Sequence, residues 1–600
     1  MSDDTLHDAR SVVSRRRFVQ GLGFAGLVAG TGLWRLPAAQ ARQVSFPVPE
    51  LRGATQHLHI GELPVNFTGK ARTAITVNQS LPAPVLRWRE GETVNLHVHN
   101  ALRDDMTSIH WHGLLLPANM DGVPGLSFDG IAPGQAYHYR FELRQNGTYW
   151  YHSHSLFQEQ AGLYGAIVID PIAPPPYRFD REHVLLLSDW TDLDGAALYR
   201  RMKKMAMHDN TYQQTLGELV RDARRDGLRA TLAERAQWAR MRMTPTDISD
   251  INANTYTYLL NGHTPSANWT GLFRPGERVL LRLINGSAMT HFDIRIPGLK
   301  LTVVAADGQY VHPVSVDELR IATAETFDVI VEPTGQDAFT VFAQDMGRTG
   351  FACGTLATRP GLAAVVPALD RRPLLSMGDM AHDHGGNHGS HAMPADPHAG
   401  HAGHAMPSDP HAGHAGHAVM ASVAGKAVNH PASETGSPLV DMQSSPTGPR
   451  LEDPGIGLRD NGRRVLAYAD LHSLFDDPDG REPGREIELH LTGHMEKFAW
   501  NFDGIPFAGA DPIALKYGER MRFVLVNDTM MTHPIHLHGV WSDLEDADGN
   551  FQVRKHTIDM PPGTRRSFRV RADALGRWAF HCHLLYHMEA GMMREVRIQA

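Results

Sequence analysis

At 600 residues, with 42% hydrophobic and 20% charged side chains, the chain is long enough for several domains with substantial buried cores. A formal charge of -9, without a basic stripe or stacking motif, argues against nucleic acid as a partner. Two cysteines leave no disulfide framework to expect.

The chain opens with Ser14-Arg15-Arg16-Arg17-Phe18-Val19, a glycine-rich apolar stretch and Ala39-Gln40-Ala41. Twin arginine, a modest apolar region and small residues at a cleavage site read as a Tat-type export signal over 1–41. The Tat translocase is then an expected partner, with a mature periplasmic protein starting near Arg42. The run from Phe18 to Leu36 is interrupted by Gln20 and Arg35, a poor permanent membrane span.

Beyond this leader one strand pattern occurs three times. Gly91 to Asn100, Gly276 to Asn285 and Gly518 to Asn527 each alternate apolar and polar residues and end in asparagine nine places after glycine. Short alternating strands between Gly/Pro turns predict an all-β chain of Greek-key β-sandwiches. The expected domains are 42–172, 173–370 and 453–600. Within the second, the stretch 196–242 has charges and leucines at helical spacing and predicts a helical insertion. Met202, Met205 and Met207 in it read as a packed helix face rather than a copper path.

Between the second and third domains, 371–452 is rich in His, Met, Gly, Ala and Pro, with an approximate tandem repeat from His391. Too few large apolar groups are present to offset the entropy of ordering, so this linker is expected to be disordered without metal. Its imidazoles and thioethers suit copper in either oxidation state, giving additional copper a place in 373–449.

The third domain ends in Phe580-His581-Cys582-His583-Leu584-Leu585-Tyr586-His587. Side chains alternate along a strand, so His581 and His583 share one face and Cys582 takes the other. Cys582 with His533, His587 and Met592 forms the ligand set of a blue-copper electron-transfer site. Aligning the chain with itself matches His581/His583 to His152/His154, and His536/His538 to His110/His112. At the offsets of His533, Cys582, His587 and Met592 the first domain has Thr107, Ser153, Gln158 and Leu163. This distribution predicts one blue copper in the third domain and one cluster shared by the first and third. His57-x-His59 and His97-x-His99 have the same spacing but fall on a polar strand face, where solvent is the expected neighbour.

These motifs resemble the four signature motifs of the multicopper oxidases, over essentially the whole mature chain. Asp121-Gly122-Val123-Pro124-Gly125, Gln158-Glu159-Gln160, Asn527 to His533 and Glu589 to Met593 resemble the CopA-type periplasmic copper-resistance oxidases within that family. The resemblance implies cupredoxin-like domains and four copper ions. A type 1 copper would take His533, Cys582, His587 and axial Met592, and a type 2 copper His110 and His536. A type 3 pair would take His112, His152 and His583 on one ion and His154, His538 and His581 on the other.

The activity so implied couples one-electron oxidation of a substrate, first of all Cu(I) to Cu(II), to reduction of O2 to water. Protons must follow the electrons, so a carboxylate near the cluster is required. Asp121 is the first candidate and Glu589 the second. Asp528, Met530 and Met531, just before His533, are candidates for a substrate copper. A laccase-like oxidase of phenolic substrates and a non-catalytic copper-sequestering protein are the alternatives. A monomer is expected.

Overall fold

The computed structural model describes residues 48–212, 215–380, 428–446 and 448–600. The expected export signal and the His-rich tandem repeat from His391 lie outside the described residues. Seven strands carry the parts that matter for function: β1 (Thr93–Asn100), β2 (His110–His112), β3 (Gly147–His152), β4 (Val279–Asn285), β5 (Arg520–Asn527), β6 (His533–Leu537) and β7 (Gly576–Cys582).

Among the described residues, six sheets pair into three two-layer sandwiches, with five and four strands in the first and six and five in each of the others. The repeated strands β1, β4 and β5 occupy the same place in each. Every one runs parallel to the preceding long strand (Thr55–Val65, Arg181–Trp190 or Arg485–His494) and antiparallel to a later one. Alternation along these strands turns one side chain in two toward the sandwich interior. Trp111, Trp150, Trp500 and Trp578 are among the largest fully buried residues.

The terminal asparagine of the repeat has a structural task. Asn100, Asn285 and Asn527 are fully buried. Each donates its amide to two carbonyls of the loops beyond: Asp105 and Ile131, Thr290 and Ile321, or Met531 and Met560. Each also accepts from the backbone N–H two residues on, at Leu102, Ser287 or Thr529. A single amide thus satisfies several buried polar groups at once, and in the outer sandwiches it fixes the loop leading into β2 or β6.

The insertion in the middle sandwich folds as α1 (Gly195–Lys204), α2 (Leu216–Asp226) and α3 (Leu228–Arg240). Asp194 caps α1 at Ala197 N, and Thr215 with Glu218 forms a capping box on α2. Met202 is buried on the packed face of α1, while Met205 is exposed. Lys203 Nζ donates to the Phe498 carbonyl at 2.7 Å, tying the insertion to the third sandwich. Among the described residues no helix is long and apolar enough to cross a membrane.

The boundary expected for the linker needs correction at its ends. Residues 428–446 lie against the third sandwich, where Ser444 donates from N and Oγ to Asp528 Oδ1 at 2.8 and 2.7 Å. On the other side, Leu375 N donates to the Pro245 carbonyl. Composition alone gave no sign of these attachments, which a few buried polar groups make.

Candidate metal centre

β2 and β3 pair antiparallel with His110 opposite His152, and β6 and β7 pair with His536 opposite His581. The same register in the two outer sandwiches aims both sets of imidazoles at one seam, where His110 stacks on His538 and His112 on His536 with ring centroids 3.9 Å apart. Three groups of nitrogens form there: His110, His112 and His536; His112, His152 and His583; and His154, His538 and His581. Within each group the ligand atoms lie within 4.8 Å of one another. His538 Nε2 and His154 Nε2 stand 3.0 and 3.4 Å from His581 Nε2.

Behind the seam, Cys582 Sγ lies 3.6 Å from His533 Nδ1 and 3.9 Å from His587 Nδ1, and those two nitrogens are 3.1 Å apart. Met592 is fully buried beside them, its carbonyl accepting from Cys582 N and its own N–H donating to the His587 carbonyl. His587 sits on the short helix α4 (Leu585–Glu589) and stacks on Trp500 at 4.1 Å. Metal–nitrogen bonds of about 2.0 Å and metal–sulfur bonds of about 2.3 Å fit inside a triangle of these edges.

The nitrogens facing away from the sites are held. His587 Nε2 donates to Asp250 Oδ2 at 2.8 Å, and His533 Nε2 pairs with Thr529 Oγ1 at 2.7 Å. Asp121 serves two rings: its carbonyl accepts from His110 Nδ1 and its Oδ2 from His538 Nδ1, both at 2.8 Å. Glu159 Oε2 lies 2.6 Å from His152 Nδ1. Gly122, at φ +83°, lets this chain segment pass so close that a Cβ would fall 1.8 Å from the Ile109 carbonyl. Such outward partners fix the tautomer and leave the other nitrogen free to ligate.

The inward nitrogens lack protein partners. His110 Nε2, His112 Nδ1, His152 Nε2, His536 Nε2 and both nitrogens of His583 are buried without a hydrogen bond. Burial, reinforced by neighbouring imidazoles, holds His112, His152, His154, His533, His536, His538 and His583 well below the ordinary imidazole range, and brings His581 to about 4. Neutral rings with unshared lone pairs, two to three to a group, are the donor set of a soft-to-borderline metal. Burial pushes the Cys582 thiol well above its usual value, a cost that a bound cation offsets by favouring the thiolate.

Two expected assignments are not brought together. Glu589, exposed at the end of α4, has its carbonyl beside Tyr199 Oη and makes no contact with a seam imidazole among the described residues. The buried carboxylates at the seam are Asp121 and Glu159. Asp528 is also separated from the methionines. Asn527 folds the turn back on itself, so Asp528 Oδ2 faces His490, while Met530 and Met531 line different cavities. Sequence reasoning missed Asp250 and His556, whose Nδ1 is 3.1 Å from His112 Nε2. Neither lies in a motif with the ligands. Glu159 stood inside a quoted motif, two places after Phe157, and its task was readable only from the fold. His57 and His97 stack at the surface with His138, away from the seam.

Three multicopper oxidase family models match residues 59–174, 181–360 and 480–600. The chain belongs to the multicopper oxidases, a family of copper-dependent oxidases, and copper is therefore its cofactor. Within that family it is 62% identical to a copper resistance protein A homolog of Pseudomonas syringae pv. tomato, over 98% of this chain and 99% of the relative. It is 61% identical to copper resistance protein A of Escherichia coli, over 98% and 99%. The fold is shared with solved structures of low identity, including Fet3p, a multicopper oxidase that functions in iron import, at 19% identity and TM-score 0.62 over 91% of this chain and 90% of that one.

Proposed function

We propose that this chain takes electrons one at a time from cuprous ions and passes them to dioxygen, working in the periplasm as a copper-resistance oxidase. One observation carries the choice of substrate. Asp250, whose carboxylate accepts from His587 Nε2, lines a small cavity together with Met289, Met346 and Met531. Thioethers favour Cu(I) and carboxylates favour harder ions, so this lining suits a metal that leaves more oxidised than it arrived. The relatives named for copper resistance and the twin-arginine leader agree with the setting.

Copper bound at the seam and behind it would supply one-electron redox capacity, four ions together matching the four electrons that turn dioxygen into two waters. His533, Cys582 and His587 with Met592 would hold the type 1 ion, and His110 with His536 the type 2 ion. His112, His152 and His583 would hold one type 3 ion, and His154, His538 and His581 the other. Cys582 lies between His581 and His583 in the chain, so three consecutive residues join the two centres. Asp121 Oδ2, held at His538 Nδ1, is a carboxylate positioned to keep a proton beside the oxygen-reducing seam. Glu159, whose carboxyl burial raises well above its usual value, is placed to do the same at His152 Nδ1.

Oxygen uptake by the copper-loaded protein tests this reading. Cu(I) should drive faster uptake than a methoxyphenol, and Asp250→Asn should lower kcat/KM for Cu(I) by about 10- to 100-fold. Faster uptake with the methoxyphenol would make the protein a laccase-like phenol oxidase instead. Uptake with neither would leave it a sequestering protein.

A further inference from the structure

On the third sandwich, apart from the seam imidazoles, a second group of ligand-type side chains converges: His430, Glu434, His490 and Asp528. His490 comes from the strand Arg485–His494 and Asp528 from the turn after β5. The other two come from the segment that follows the His-rich stretch. Glu434 and Asp528 have fully buried side chains, His490 is nearly so, and only the edge of His430 reaches solvent.

The inward atoms, counting both oxygens of Glu434, have the spacing of one coordination shell. His490 Nδ1 is 2.7 Å from Asp528 Oδ2 and 3.5 Å from Glu434 Oε1. His430 Nδ1 is 3.0 Å from Glu434 Oε2 and 3.3 Å from Asp528 Oδ2. A tetrahedral ion with bonds of about 2.0–2.1 Å sets its ligands about 3.3 Å apart.

Three of the four side chains are tied down from outside, while His490 Nε2 is buried without a hydrogen bond, 3.6 Å from Glu488 Oε1. His430 Nε2 donates to the Ser444 carbonyl at 3.0 Å, which leaves Nδ1 as the lone-pair nitrogen. Asp528 Oδ1 accepts twice from Ser444, so Oδ2 is the oxygen turned inward. Glu434 Oε2 accepts from Gln443 Nε2 at 3.2 Å. Glu434 Oε1, on a side chain with no exposure, has no hydrogen bond and points into the cluster. A buried carboxylate oxygen left in that state costs free energy unless a cation or proton meets it.

We propose that these four side chains bind a borderline divalent cation, Cu(II) in preference to Zn(II), separate from the coppers of the oxidase. Outweighing burial, the neighbouring carboxylates raise His490 to about 10 and His430 above the ordinary imidazole range, so a cation would bind by displacing those protons. Two imidazoles so neutralised and two carboxylates, with no thiolate or thioether, disfavour Cu(I), and the divalent order of stability puts Cu(II) above Zn(II). Bound metal would pin residues 430–444 to the third sandwich where the His-rich stretch of the sequence ends. The site needs nothing from the cuprous-oxidase reading, and its failure would leave that reading untouched.

The test uses the full-length, copper-loaded protein dialysed against chelator-buffered Cu(II), with retained copper counted per chain. The unaltered protein should hold one more equivalent of copper than either His430→Gln or Glu434→Gln, with the blue thiolate absorption unchanged in all three. Equal copper in the three proteins, with or without a loss of thermal stability in the variants, would reduce the cluster to an ion-pair network and overturn the proposal. Crystals of the unaltered protein soaked in Cu(II) give a second reading that no folding defect can obscure. An anomalous peak about 2.0–2.2 Å from His430 Nδ1, His490 Nδ1 and the two carboxylates is expected. A map without one at that place would overturn the site.

Discussion

The first and third sandwiches share the register of their histidine-bearing strands and the same buried asparagine, yet only the third has a thiolate site behind the seam. In the first sandwich the corresponding positions are Thr107, Ser153, Gln158 and Leu163, all buried. The backbone is unchanged around them: Ser153 N donates to the Leu163 carbonyl as Cys582 N does to Met592, and Leu163 N to Gln158 as Met592 N does to His587. What differs is how the polar atoms are satisfied. Gln158 Oε1 accepts from Thr107 Oγ1 at 2.7 Å and from Ser153 Oγ at 3.0 Å, while its Nε2 donates to the Met106 carbonyl. One sandwich closes the position with hydrogen bonds, and the other leaves donor atoms that only a cation completes. The fold therefore does not require metal behind the seam, and the four side chains alone decide whether it is held.

This comparison can be broken most severely at the cysteine. Cys582→Ser gives the third sandwich the first one's residue, so the chain should fold, lose its blue absorption and lose Cu(I)-driven oxygen uptake to background. An intact blue band would mean that the thiolate lies elsewhere. The reverse exchange sharpens the same point: Thr107→His, Ser153→Cys, Gln158→His and Leu163→Met together should give a second blue band of similar strength per chain. Absence of extra absorption in a folded, copper-loaded variant would show that the shared backbone is not sufficient.

Smaller effects are expected one layer out. Asp121→Asn keeps the backbone carbonyl at His110 but weakens the hold on His538, and should lower copper affinity at the seam or turnover by about 10- to 100-fold with the blue band unchanged. An unaltered copper content and rate would remove Asp121 from the site. Smallest is Gln158→Ala, which strips Thr107 and Ser153 of their shared acceptor. It should destabilise the chain to denaturant by about 1–3 kcal/mol for each buried group left unpaired, without changing the rate of oxygen uptake per bound copper.

Much of this arrangement was legible in the sequence because it repeats. The glycine-to-asparagine strand recurs since each asparagine performs the same double donation, and the His-x-His pairs stand out since strand alternation puts both rings on one face. The outward carboxylates were hidden for the opposite reason. Asp250 comes from the middle sandwich, far along the chain from His587, and no local pattern marks it. Asp528 was misread because its neighbours in sequence, Met530 and Met531, are not its neighbours in space. Asn527 turns the chain between them, and the direction of that turn is set by carbonyls at Met531 and Met560. Glu589 was misread in the same way, being close to His587 in sequence but at the outer end of its helix.

The central claim is that the thiolate behind the seam and the imidazoles across it work as one unit. Fully reducing the copper-loaded protein with Cu(I) under anaerobic conditions and then admitting one pulse of dioxygen tests this directly. Four electrons should be stored per chain and lost together, the blue colour returning as the oxygen disappears. Oxygen consumed while the thiolate site stays bleached, or consumed equally fast by Cys582→Ser, would contradict the account.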